Sequence, residues 1–235
     1  AYNTGDDVHK RTAAVIFDES LDKVTKEQRH IGKTINFSLL YGAGAYNIAA
    51  QLGIEVEEAE NIVNKYFTNL PNIKSWINRV KQDTRMDSFA DTVFGRRRYF
   101  YNVRGSDRKL AEKELRESVN HHIQGAAADI MKSALVRTSI AMRKYFGDKI
   151  RIVSTVHDSL LLECHNSCPK DLVLTILKKA MEDITLDSAQ LAAYNSGEVS
   201  KVTVVNGWPH LEIDAKVGKS WGSAADFDET CNDKP

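Results

Sequence analysis

The stretch Arg29-His30-Ile31-Gly32-Lys33-Thr34-Ile35-Asn36-Phe37-Ser38-Leu39-Leu40-Tyr41-Gly42 is the most informative part of this 235-residue sequence. Just before it, Thr25-Lys26-Glu27-Gln28 fits a capping box. Thr25 can accept from a first-turn amide while Gln28 reaches back to the cap. A helix is therefore expected to run to about Tyr41, where Gly42-Ala43-Gly44 loosens it. Arg29, Lys33, Phe37 and Tyr41 are four residues apart, so a helix places all four on one face. Twelve residues rise about 18 Å, comparable to an extended nucleoside triphosphate. On that face Arg29 offers a planar fork and Lys33 a point charge, both suited to phosphates. Phe37 can lie against a sugar and base, with Tyr41 at the far end. Ile31, Ile35, Leu39 and Leu40 form the opposite face, which is expected to pack inward. An ordinary helix would instead put the two cations on the surface and the two aromatics in the core. The spacing alone leaves both readings open.

Working outward, the first 80 residues read as helical. Val56, Ala59, Val63 and Phe67 recur at helical spacing, and Pro71 can start a further helix through Trp76, Ile77 and Val80. Phe89–Phe94 and Arg98–Val103 are aromatic and β-branched around Gly95, which predicts a short hairpin. Ser106 is expected to cap a helix through Val119, followed by another from about Gln124 to Phe146. Lys149–Val156 and Ser159–Cys164 read as strands joined at His157-Asp158. Ser167 and Pro169 open a helix to about Ile184. Asp187–Ser200 reads as a polar insertion or loop, and Lys201–Val205 and Leu211–Val217 as the last strands.

Composition limits the function classes. Hydrophobic residues make up 42% and charged residues 27%, the profile of an ordinary globular protein. Thirty-two basic residues balance 32 acidic ones, so net charge alone points to no polyanionic partner. The balance is uneven along the chain: residues 70–119 hold twelve Lys/Arg against seven Asp/Glu, whereas residues 182–235 hold four against ten. Three cysteines are too few for a disulfide scaffold and suggest a reducing compartment. Cys164-His165 and Cys168 lack a fourth ligand for zinc. No apolar run is long enough for a transmembrane helix, and the N-terminus has no apolar signal core. A cytoplasmic setting is expected.

The string Arg29-(x)3-Lys33-(x)3-Phe37-(x)3-Tyr41-Gly42, within RHIGKTINFSLLYGAGAYNIAAQLGI, resembles the nucleotide-binding fingers helix of family A DNA polymerases. TGDDVHKRTAAVIF is similar to the segment before the fingers, FADTVFGRRRYFYNV to the family's hairpin, LRESVNHHIQGAAADIMKSAL to its long palm helix, and RIVSTVHDSLLLEC to its motif C. The resemblance covers roughly residues 1–185 and the final strands. It implies an α+β fold, with helical fingers over 1–85 and the C-terminal part of an antiparallel-sheet palm over 86–235. Residues 187–210 match poorly and read as an atypical insertion. It also implies a nucleotide site made by His9, Arg29, Lys33, Phe37 and Tyr41, with Lys33 catalytic through the triphosphate.

Arg116, Asn120 and Gln124 are four apart on the expected palm helix. Arg116 and Asn120 can reach minor-groove acceptors, which all base pairs share in similar positions. The resemblance adds Thr92, Arg96 and His157 as DNA contacts and Asp158 as the catalytic, metal-binding carboxylate. Read without the family, Asp158 is a turn residue and the arginine run is surface decoration. Nucleotidyl transfer by this scheme uses two Mg²⁺ ions held between two carboxylates. The second carboxylate belongs to motif A, and no Asp-x-Ser-x-x-Glu-like string occurs in this sequence. The thumb is likewise missing. Ser159 stands where the family usually has Glu, and Ser38 where Gly is common.

The expectation is therefore a DNA-directed DNA polymerase split between chains. An N-terminal partner carrying motif A and the thumb would complete a site for dNTP and primer–template DNA. Lys33, Tyr41 and Asp158 all remain in place, which favours this over a processed product or a remnant. A compact split polymerase suggests a virus. The alternatives are a non-catalytic nucleic-acid-binding accessory and a fragment of a single-subunit RNA polymerase, which usually places Tyr where Phe37 stands.

Overall fold

The computed structural model describes residues 6–182, 211–220 and 225–226. Eight helices and three two-stranded antiparallel sheets are found among them. The described residues divide into two compact units, the break falling after Ala127.

The first unit starts with α1 (Val8–Phe17), capped by Asp7, whose carboxylate accepts from the Lys10 amide. In α2 (Lys26–Leu40) the capping box forms as the sequence predicts. The Gln28 amide donates to Thr25 Oγ1 at 3.2 Å, and the Thr25 amide donates to Gln28 Oε1 at 2.9 Å. Thr25→Ala should cost about 1 kcal/mol, read as a lower urea midpoint. α3 (Ala45–Leu52), α4 (Val56–Asn69) and α5 (Pro71–Asp87) follow. Ile16, Ile35, Leu39, Ile48, Ala49, Ala59 and Tyr66 form the core between α1, α2, α3 and α4, with Ile31 packed against it. Of the expected inward face, Leu40 is only half-buried. Ser38 Oγ donates to Gln51 Oε1 at 2.8 Å, tying α2 to α3.

Strands β1 (Phe89–Asp91) and β2 (Arg97–Tyr99) make the expected hairpin, paired Phe89 to Tyr99 and Asp91 to Arg97. The second strand is shorter than the expected 98–103. After Phe100, the Asn102 amide and side chain both donate to Glu114 at 2.7 Å, which draws the chain away from the ladder. α6 (Arg108–Asn120) is capped by Asp107, one residue later than predicted; its carboxylate accepts from the Lys109 and Leu110 amides. An acidic cap also suits the positive end of the helix dipole. No break separates α6 from α7 (Ala126–Phe146): a π-helical turn, His121–Gly125, joins them. Val119 of α6 is buried with Ile77 and Val80 of α5, against Phe67, Ile73 and Trp76.

The second unit takes in most of α7, then β3 (Ile150–Val156), β4 (Ser159–Cys164) and α8 (Lys170–Glu182). Met142, Ile150 and Cys168 form its core, with Phe146, Leu162, Val173, Ile176 and Leu177 against them. A register shift between Ile152 and Ser154 leaves Val153 exposed. The expected strand 211–217 is reduced to β5 (Lys216–Val217), paired with β6 (Ala225–Asp226). The Ile213 amide donates instead to Glu182 at 3.0 Å. The expected strand 201–205 and the insertion at 187–210 lie outside the described residues. No helix among those described is long and apolar enough to cross a membrane.

Candidate active site

The α2 face carries its four residues as spaced in the sequence, and α1 adds to it. The His9 and Phe37 ring centroids are 5.6 Å apart, and Phe37 stacks on Tyr41 at 6.1 Å with 24° between planes. Phe37 is 42% exposed, so its ring is open to a ligand rather than buried in the core. Lys33 Nζ lies 6.0 Å from the Phe37 centroid. Lys33 has no ion pair among the described residues. Arg29 is held differently: its Nε donates to Asp7 at 2.5 Å. Asp7, which the sequence reading passed over, thus caps α1 and orients the arginine. That hydrogen bond, and then the Lys10 amide, hold its carboxyl below the usual carboxylate range. Partly exposed, such a pair contributes at most about 1 kcal/mol to stability.

The α1–α2 crossing is close because Gly32 has no side chain. A Cβ there would lie 2.4 Å from the His9 carbonyl oxygen. Beside it, Asn36 is buried and touches both Thr12 and His9. At the other end of α2, Gly42 has φ +80°, and the aliphatic stem of Arg116 lies where its Cβ would project. The Arg116 guanidinium has no hydrogen bond or ion pair among the described residues. α6 thus presents a free cation next to the end of the α2 face.

Thr92, expected as a DNA contact, lies in the turn of the hairpin. It is 3% exposed, and its hydroxyl accepts from the Arg96 amide at 3.1 Å, so it shapes the hairpin turn. Arg96 donates to the Gly125 carbonyl at 2.9 Å, and His121 Nε2 lies 3.1 Å from the Arg96 carbonyl. The hairpin is therefore seated on the π turn. Arg97 pairs with Asp91 through two contacts of 2.8 Å and lies 3.5 Å over the Phe89 ring. Arg98 pairs with Glu117 at 2.6 Å. Much of the arginine run is thus a clamp. Asn120 turns its Oδ1 inward without a hydrogen-bond partner, leaving its amide hydrogens for an acceptor. Gln124 lies exposed within the π turn, so it does not continue the regular α-helical step from Asn120.

In the second unit, His157 and Asp158 form the two-residue turn between Val156 and Ser159. His157 has φ +54°, the left-handed conformation that primed hairpin turns use at their first position. Ser159 Oγ donates to the Val156 carbonyl at 2.8 Å and closes the turn. Asp158 is exposed, with no hydrogen bond or ion pair among the described residues. No group of three His, Cys, Asp or Glu side chains placed to hold a metal occurs among those residues.

A family model covers nearly all of this chain, matching residues 1–223 as DNA polymerase family A. The chain belongs to that family. It is 34% identical over 183 residues to a DNA polymerase I of Caldicellulosiruptor bescii, covering 78% of this chain and 21% of that protein. It is 38% identical over 160 residues to a DNA polymerase I of Pseudomonas aeruginosa, covering 67% and 17%. Among solved structures it is similar to the polymerase domain of Pol1 from M. smegmatis, in complex with DNA primer-template and dNTP. That match has a TM-score of 0.72 and 35% identity, and covers 77% of this chain and 32% of that one. The chain spans about a fifth of the length of the curated relatives it matches.

Two histidines of this family A chain titrate below their ordinary range. Burial is the main cause for His9, reinforced by Arg29 and Lys33 and opposed by Asp7. Burial also dominates for His122, reinforced by His121 and opposed by Asp91 and Asp83. The unfolded chain gains these protons near pH 6.5, the folded chain only at lower pH. Stability from the neutral rings is therefore full above about pH 6.5 and falls as pH drops through it towards the folded values. The urea midpoint should decline from pH 7.5 to 5.5, and His9→Gln should flatten part of that decline.

Proposed function

We propose that this chain provides the fingers and part of the palm of a template-directed DNA polymerase. The observation that carries this reading is the α2 face, where Phe37 stacks on Tyr41 and His9 of α1 lies tilted against Phe37, with Lys33 and Arg29 on the same face. A row of rings with cations along one side suits a base, a sugar and a triphosphate in sequence. The ligands named for the Pol1 structure, primer-template and dNTP, support the same reading. Lys33 neutralises triphosphate charge and donates a proton to the leaving pyrophosphate. Arg116 and Asn120 donate to minor-groove acceptors, with Gln124, Arg96 and His157 as further DNA contacts.

Two Mg²⁺ ions, when bound, activate the primer 3′-hydroxyl and shield the triphosphate. Asp158 suits one side of such a site: a hard oxygen donor, exposed and without a competing partner among the described residues. The described residues hold no complete metal cluster. No Asp-x-Ser-x-x-Glu-like string occurs in the sequence, so the split reading assigns the second carboxylate to a motif A strand on a partner chain.

Primer extension tests the proposal. The full chain is combined with a polymerase segment that contains an Asp-x-Ser-x-x-Glu strand, and deoxy- and ribonucleotides are offered separately. Deoxynucleotide incorporation only when both parts are present is expected. Duplex binding without synthesis would instead identify an accessory, and a ribonucleotide preference an RNA polymerase.

A further inference from the structure

We propose that Asn36 is a positioning residue that fixes the His9 imidazole in one tautomer, with its proton on Nε2 and Nδ1 as acceptor. The inference deepens the nucleotide-binding reading of the α2 face and rests on it. It begins at the α1 backbone. Thr12 Oγ1 is 3.0 Å from the Val8 carbonyl oxygen. A carbonyl only accepts, so that contact uses the single hydroxyl hydrogen of Thr12. The hydroxyl also reaches Asn36 Oδ1 at 3.1 Å, but with its hydrogen on the shorter contact to Val8, Oγ1 offers Asn36 lone pairs alone. Asn36 Nδ2 lies 2.9 Å from it, closer than Oδ1 at 3.1 Å. Exchanging the two amide atoms would bring oxygen to the shorter separation, lone pair against lone pair.

The amide orientation is thereby set, and Asn36 has one N–H left. His9 Nδ1 is 3.2 Å from Nδ2. An N–H pointing at Nδ1 requires a lone pair there, so the neutral ring carries its proton on Nε2. Asn36 is 5% exposed and Thr12 6%, so water does not readily substitute in this chain of bonds. Three charged groups act on the ring: Arg29 and Lys33 oppose its protonation, and Asp7 favours it. The tautomer decides the sign of the contact beside Phe37. A ring with Nε2–H donates to a phosphate oxygen, whereas the other tautomer would present a lone pair and repel it. None of this is visible in a spacing pattern, because Thr12, Asn36 and His9 meet only when α1 crosses α2.

The test uses the full chain labelled with ¹⁵N-histidine and long-range ¹H–¹⁵N spectra at pH 7.5. His9 is expected to show a protonated Nε2 and an unprotonated Nδ1. Thr12→Val keeps the side-chain volume but removes the Oγ1 acceptor; the amide loses its orientation and His9 shows both tautomers. Thr12→Ser restores the single form. Asn36→Asp places an acceptor at Nδ1, moves the proton there and raises the midpoint of His9 titration. Inorganic tripolyphosphate is the ligand probe. It is expected to shift Nε2 in the parent chain, and to bind about twofold more weakly to Thr12→Val, where only part of the rings carry the donating tautomer. A parent spectrum with Nδ1 protonated overturns the proposal, as does a Thr12→Val spectrum like that of the parent. The expected tautomers without any response to tripolyphosphate would support Asn36 as the orienting residue and overturn the nucleotide reading of this face.

Discussion

Gly32→Ala should lower folding stability by about 2 kcal/mol, although alanine favours helix over glycine by about 1 kcal/mol. The reason is the identity of the neighbours. The new Cβ would lie 2.4 Å from the His9 carbonyl oxygen, 3.0 Å from the Ala13 nitrogen and 3.1 Å from the Ala13 Cβ. Two of these are backbone atoms of α1, so no side chain can rotate away. The helix must retreat as a body, opening a seam that buries Ala13, Ile16, Ile35 and Leu39. The same displacement would separate His9 from Phe37 and weaken tripolyphosphate binding. Urea unfolding measures the first effect and the His9 Nε2 response the second. An unchanged midpoint would show that α1 and α2 have room the packing does not suggest.

Asp158→Ala should reduce synthesis by on the order of a thousandfold or more in the assembled polymerase, with primer–template binding retained. The substitution is a clean probe because the carboxylate has no hydrogen bond or ion pair among the described residues. The turn around it is closed by Ser159 and shaped by left-handed His157, neither of which depends on Asp158. Loss of activity would therefore report lost chemistry rather than a lost hairpin, and matched thermal unfolding of the two proteins would verify this. Near-normal turnover would remove Asp158 from the proposed site.

Much of this architecture is legible in the residues. Thr25 and Gln28 state the start of α2 because a capping box is local, and local bonds need no tertiary information. Pro71 likewise marks the first turn of α5. Local preference gives way where a distant partner outweighs it. Arg98–Val103 has the composition of a strand, but Glu114 takes the Asn102 donors and ends pairing. Ser106 and Asp107 are both acceptable caps, and the choice falls to the residue whose carboxylate reaches two amides. The π turn at His121–Gly125 has no pattern of its own. Its visible cause is tertiary, the hairpin turn seated on it through Arg96, His121 and Gly125. The same distinction applies to the site. Arg29, Lys33, Phe37 and Tyr41 lie on one helix, so their spacing announces them. Asp7, Thr12 and Asn36 act across a helix crossing, so only the folded chain brings them into view.

If the α2 face and Arg116 bind as proposed, the closeness of Gly42 to Arg116 makes the two surfaces thermodynamically dependent. The Arg116 stem lies where a Gly42 side chain would project, just past the end of α2, so a movement of that end towards α6 must displace the arginine. A ligand whose binding shifts the end of α2 thereby changes the free energy of whatever the Arg116 head group holds. Reciprocity requires the reverse effect to be equal in size. On that reading, a single missing methyl group links occupancy at the aromatic row to grip at the neighbouring helix.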